Sequence, residues 1–309
     1  ASLNAMVSAN GRVFYIMDEG PRASIQLPSD WQLVARDAYN GAVLWRKPIT
    51  QWLTRFWPWK SGPAQMPRKL VAIGDCVYAP LDINGPLKQF DARTGNELRT
   101  YANTTAAEEF IYTDGILLVQ VNPNPPDMAE VEKAVRERRH FSYDGRNRAI
   151  LNHDDPKHIV AIAADTGKLL WKHDAPKVSP LSLSALKDNV IYHNGSSLVC
   201  LNLKTGKQKW ISESVQDQRK KLIMYSEEAA TVVLHEKAVF YAKDQKMTAV
   251  SMADGKTLWS SKWTQNDYRS PVTVMLMQDR VWSMNITSAR APGTFTARDI
   301  LTGDVLKQF

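Results

Sequence analysis

Two stretches of this chain gather side chains able to do chemistry. Between Lys47 and Lys69, Trp52, Trp57 and Trp59 stand with Phe56 among Arg55, Lys60, Arg68 and Lys69. Flat indole faces stack on the apolar faces of sugars, and a guanidinium forks onto a carboxylate or sulfate. The composition therefore suits a glycan or an anionic ligand. Pro48, Pro58, Pro63 and Pro67 stiffen the same loop, and a stiff loop favours the other reading, in which the rings pin it to its support.

The second stretch runs from Asn122 to Lys157. Asp127, with Glu130 three residues on, forms a capping pattern. Acids come early and arginines late in the run to Arg139, as a helix dipole prefers. The spacing predicts a helix whose narrow apolar stripe is Met128, Val131 and Val135. Arg138, Arg139 and Arg146 join Trp52, Arg55, Trp57, Trp59 and Lys60 as a candidate binding rim. His153, Asp154, Asp155 and His158 are of metal-ligating types, but their spacing matches no standard site, and a polar loop rich in Asp and Asn explains them. No nucleophilic triad, phosphate-cradling glycine loop or facing carboxylate pair stands out, so no catalytic residue is assigned.

The elements that must carry these stretches repeat. Six times an apolar run leads into a turn at glycine: Gly41, Gly95, Gly167, Gly206, Gly255 and Gly303. Four residues past the glycine stand Trp45, Trp171, Trp210 and Trp259, with Arg99 and Lys307 in the other two copies. Around each turn lie short β-favouring runs, such as Val190 to Tyr192, Ser197 to Leu201 and Gln208 to Ile211. An upstream run such as Thr231 to Leu234 makes four antiparallel strands per unit. One such sheet is marginal alone. Stacked radially, such sheets form a β-propeller, and a bulky ring from each fills the wedge beside the next. The expected fold is all-β throughout residues 1–309, six four-stranded blades that belong to a ring of six, seven or eight, with the two stretches above inserted where the glycine spacing is widest.

The run Ala161 to Trp171, with Asp165, Thr166 and Gly167, resembles the tryptophan-docking repeat of quinoprotein-type propellers, the PQQ-like repeat family. Gly11 to Thr100 looks like large multidomain propeller proteins of planctomycete-type bacteria. The family includes quinone-dependent dehydrogenases and cofactor-free scaffolds, so the resemblance implies the fold and leaves the chemistry open. The dehydrogenases carry adjacent cysteines in a vicinal disulfide and a Ca²⁺ site; here Cys76 and Cys200 lie far apart on expected strands, where two buried thiols are the expected state. PQQ and Ca²⁺ thus belong only to an alternative reading, a dehydrogenase with an atypical site or a glycan-active propeller enzyme.

Hydrophobic residues make up 44% of the 309, which is ordinary for a globular chain, and no apolar run reaches the length of a membrane-spanning helix. The net charge of +7 comes from scattered lysines and arginines without a nucleic-acid-binding motif. The first residues show no signal-peptide pattern, and the chain reads as an excerpt of a longer protein. The expected role is a non-catalytic binding or scaffold module that meets a protein partner or an anionic or glycan ligand. The resemblance implies a periplasmic or extracellular setting.

Overall fold

A computed structural model describes residues 3–21, 23, 27–52, 68–130, 133, 155–215, 231–243, 246–262, 274–285 and 293–309. Among them are 24 strands in six four-stranded antiparallel sheets, each a meander in chain order. The first three sheets are β1 to β4 (Leu3–Ala9, Arg12–Asp18, Trp31–Asp37, Val43–Pro48), β5 to β8 (Val71–Ile73, Cys76–Ala79, Lys88–Asp91, Glu97–Thr100) and β9 to β12 (Ala107–Thr113, Ile116–Val121, Lys157–Ala163, Leu169–Ala175). The last three are β13 to β16 (Ser184–Leu186, Asn189–His193, Ser197–Asn202, Gln208–Ser214), β17 to β20 (Thr231–Leu234, Ala238–Lys243, Lys246–Ser251, Thr257–Lys262) and β21 to β24 (Val274–Met277, Arg280–Asn285, Thr294–Asp299, Val305–Gln308). These are propeller blades. The chain divides into two compact units, one ending at Asp174 and one running from Ala175 to Phe309. Within the first, β1 lies beside β5 and β5 beside β9; within the second, β13 lies beside β17 and β17 beside β21.

Middle strands such as β10 and β15 are buried on both faces. Leu117, Leu118 and Val119 of β10 and Leu198, Val199, Cys200 and Leu201 of β15 are all buried. A strand covered on both sides needs no polar alternation, so these read as short continuous apolar runs. The fourth strand differs: in β4 and β20 the single buried residue is the tryptophan.

The glycine turns share one geometry. Their φ values lie between +67° and +77°, a backbone that glycine adopts without strain. In the best capped turn, Asp91 Oδ1 accepts the amides of Arg93 (3.0 Å) and Thr94 (2.7 Å), while the Gly95 amide donates to the Asp91 carbonyl at 2.8 Å. Those bonds to the carboxylate, led by the Thr94 amide, hold the Asp91 carboxyl below its ordinary value. Asp37, Asn202 and Asp299 cap their turns in the same way.

Four of the turns, at Gly95, Gly167, Gly255 and Gly303, receive a side chain of the preceding sheet. Trp45 donates its indole N–H to the Ala92 carbonyl (3.1 Å), Trp210 to Met252 (2.9 Å) and Trp259 to Ile300 (3.1 Å). The acceptor always lies three residues before the glycine. The ring rests on the glycine itself: a Cβ at Gly95 would come 2.8 Å from Trp45, one at Gly255 2.5 Å from Trp210, and one at Gly303 2.6 Å from Trp259. Trp171 is buried as well. The Arg99 copy divides the role between two side chains. Arg99 lies against Gly167 and donates to the carbonyls of Asp165 and Thr166, both at 2.8 Å, while buried Tyr101 donates to the Ala164 carbonyl at 2.6 Å.

Gly41 has the same left-handed backbone, with no side chain within 4 Å of where a Cβ would stand. Gly41→Ala is therefore expected to cost only the backbone term, about 1 kcal/mol. Gly255→Ala adds a clash with Trp210, about 1–3 kcal/mol more. Urea unfolding of both variants measures the difference, and equal losses would contradict this account of docking.

Candidate functional site

The two insertions are rooted together in the first unit. After β4 the chain pairs irregularly with the stretch after β6: the Thr50 amide donates to Leu81 (2.9 Å) and the Ile83 amide to Gln51 (2.8 Å). This seats Trp52 in a cluster with Ile49, Leu70, Ile83 and Met128. Met128 comes from the second insertion. Its helical turn begins as expected, with Asp127 Oδ1 accepting the amides of Ala129 (2.8 Å) and Glu130 (3.4 Å). Asn84 ties the turn down by donating to the Pro126 carbonyl at 2.9 Å.

Polar groups complete the junction. Glu109 pairs with Gln120 across the ladder and Ala107 with Val121, which leaves Glu108 as the extra residue of a β-bulge. Bulges re-aim side chains. Here the Glu108 carboxylate reaches three donors: Asn122 at 2.8 Å and Lys157 at 3.2 Å on Oε1, and Gln120 at 2.8 Å on Oε2. Asn122 and Lys157 are the two ends of the second insertion. Neighbouring Glu109 holds the end of the first, accepting from Arg68 Nε at 2.8 Å and also from Arg68 Nη2. Lys157 and Glu109 are almost wholly buried, and pairing is what makes burial of such charges tolerable.

Lys69 ends the first insertion beneath this junction. It donates to the Ile83 carbonyl at 2.7 Å, and its ammonium sits 5.5 Å from the centre of the Trp52 ring. Burial disfavours the charged form and brings its pKa down to about 8, although Glu108 and Asp82 pull the other way.

The rim expectation needs one correction. Trp52 is buried, and its indole N–H donates to Asn4 Oδ1 at 3.1 Å. It is a packing residue that offers no face to a ligand. Arg55, Trp57, Trp59, Lys60, Arg138, Arg139 and Arg146 lie outside the described residues, as do His153 and Asp154. His158 pairs with Asp174 at 2.7 Å. Cys76 is a half-buried free thiol. Cys200 is a buried one, its pKa pushed up to about 11 by burial. Among the described residues no three His, Cys, Asp or Glu side chains are grouped to hold a metal ion. The sequence marks Lys157 only as the end of an insertion and gives Glu108 and Gln120 no role; the available signal was a pair of acids opening an otherwise apolar strand.

Residues 156–308 match the family model described as outer membrane protein assembly factor BamB. No curated protein matches the chain. Among solved structures, BamB from Moraxella catarrhalis is similar with a TM-score of 0.56 at 13% identity, over 97% of this chain and 70% of that one. Quinohemoprotein alcohol dehydrogenases are similar too. That of Comamonas testosteroni has a TM-score of 0.57 at 12% identity, over 98% of this chain and 60% of that one. ADHIIG from Pseudomonas putida HK5 has 0.57 at 11%, over 98% and 59%. The chain thus spans about three fifths of either dehydrogenase. At these identities the likeness is one of fold. No helix among the described residues is long and apolar enough to cross a membrane.

Lys69 makes stability depend on pH. Between about 8 and 10.5 the unfolded chain keeps a proton that the folded chain has released, so stability rises with pH across that window. The expected gain is up to about 3 kcal/mol relative to Lys69→Met, which lacks the group. Denaturant unfolding of both proteins at pH 7.5 and 10 measures it, and parallel pH profiles would refute it.

Proposed function

With residues 156–308 carrying the PQQ-like repeat of an assembly-factor family, we propose that this chain is a non-catalytic binding module of an extracytoplasmic protein. The observation that carries the reading is the common root of the two insertions, joined by Trp52 and Met128 in one cluster and by Glu108 across both ends of the second insertion. Loops that break a repeat usually do so for binding. A shared, charge-locked root makes two loops one platform and lowers the ordering cost of engaging a partner.

The partner is the acidic surface of another protein. The two insertions contain Arg55, Lys60, Arg138, Arg139 and Arg146 in their sequences, with Trp57 and Trp59 as candidate aromatic anchors of the kind that dominate interfaces. The likeness to BamB, named as an assembly factor, supports a protein partner over a small molecule, and it supports a periplasmic or surface setting.

A polyaspartate-coated sensor is the probe. The chain should bind it at low salt and release it as salt rises. The Trp57→Ala/Trp59→Ala double variant and the Arg138→Ala/Arg139→Ala double variant should each weaken binding about tenfold while moving Tm by less than about 2 °C. Binding indifferent to both would overturn the platform. Dye-linked alcohol oxidation after addition of quinone and Ca²⁺ would replace the binding role with the dehydrogenase alternative.

A further inference from the structure

An amine and a primary amide meet on one carboxylate oxygen at the root of the second insertion. Glu108 Oε1 accepts from Asn122 Nδ2 at 2.8 Å and from Lys157 Nζ at 3.2 Å. The ladder dictates this meeting. Val121 of β10 pairs with His158 of β11, which sets Asn122 and Lys157 opposite each other at the next position. The bulge in β9 then turns Glu108 toward both. Lys157 is 0% exposed and Asn122 2%, so the two reacting groups are shut away from water. The Glu108 side chain keeps 19% of its exposure, which leaves a small product a way out.

These are the parts of a transamidation. A lysine amine is a nucleophile once it gives up its proton, and an amide carbonyl carbon is its electrophile. Glu108 touches both nitrogens, so one carboxylate can take a proton from Lys157 Nζ and hand it to Asn122 Nδ2. Asn122 Oδ1 accepts the Asn124 amide at 2.9 Å, a donor placed where negative charge develops on attack. The fold has already brought the groups together, and excluding water removes the competing hydrolysis.

We propose that Lys157 and Asn122 join in an intramolecular isopeptide bond, with Glu108 as the proton carrier. The bond from Lys157 Nζ to Asn122 Cγ forms, and the bond from Cγ to Nδ2 breaks. Of the three protons on the Lys157 ammonium, one stays in the new amide and two leave with Nδ2 as ammonium. Nothing is oxidised or reduced, and no co-reactant is consumed. The product replaces a buried charge with a neutral amide, and escape of ammonium makes the step one-way. It ties the end of β10 to the start of β11 and so closes the second insertion covalently at its base, whatever the loop binds.

Mass spectrometry of the purified 309-residue chain tests this. The intact mass should fall about 17 Da below that of the unlinked sequence, the loss of one ammonia. After denaturation and digestion, the peptide holding Asn122 should be recovered joined to the peptide holding Lys157. Pro123 follows Asn122, and its nitrogen carries no hydrogen, so the cyclic imide that costs other asparagines the same mass is closed to this one. Glu108→Gln, Asn122→Ala and Lys157→Met should each restore the full mass. The unaltered chain decides the matter without the variants: full mass, with the two peptides recovered separately, overturns the proposal. So does a cross-link that persists at full yield in Glu108→Gln.

Discussion

An indole laid on a glycine, with its N–H given to the carbonyl three residues earlier, is the contact on which the rest depends. A four-stranded sheet buries little by itself; its middle strands pack against those of the next sheet, and the contact on the fourth strand fixes how the two sheets meet. The requirements there are strict. The turn must be left-handed so that the carbonyl faces the neighbour, and the residue must lack a Cβ because the ring occupies that volume. Glycine meets both conditions, which is why the same residue recurs at this step of every repeat.

The Arg99 copy shows which parts of this contact can be exchanged. Burial of a flat group over the glycine and donation to the carbonyl are separable, and here Arg99 supplies one and Tyr101 the other. Tyr101 is buried, which pushes its pKa up to about 12, and like any phenol it is a donor at neutral pH. The interface is therefore held by hydrogen bonds to backbone carbonyls as well as by apolar area, and those carbonyls are present whatever the side chains of the turn.

The insertion roots follow a different physics. Lys157 and Glu109 are buried charges, and burying charge favours folding only where partners are close and correctly aimed. The bulge at Glu108 provides the aim. One extra residue in β9 turns a carboxylate toward Gln120, Asn122 and Lys157 together. Such a network contributes less to raw stability than to placement, because each member left alone would be costly. It fixes where two long loops leave the scaffold, and that placement is what a binding surface needs.

The repeat itself was legible in the chain because its causes are local. Turn, glycine and tryptophan lie within a few residues of each other, so Gly255 and Trp259 announce a blade without reference to anything distant. The capped start of the helical turn at Asp127 was legible for the same reason. The fate of Trp52 was not: the residues leave a ligand face and a packing ring both open, and it is the fold that brings Asn4, Lys69 and Met128 around it. Nor was the role of Glu108, whose partners Asn122 and Lys157 stand 14 and 49 positions away. Local spacing specifies backbone conformation, because φ, ψ and short-range hydrogen bonds depend on near neighbours. Burial and charge pairing depend on which segments meet, and only the tertiary structure decides that.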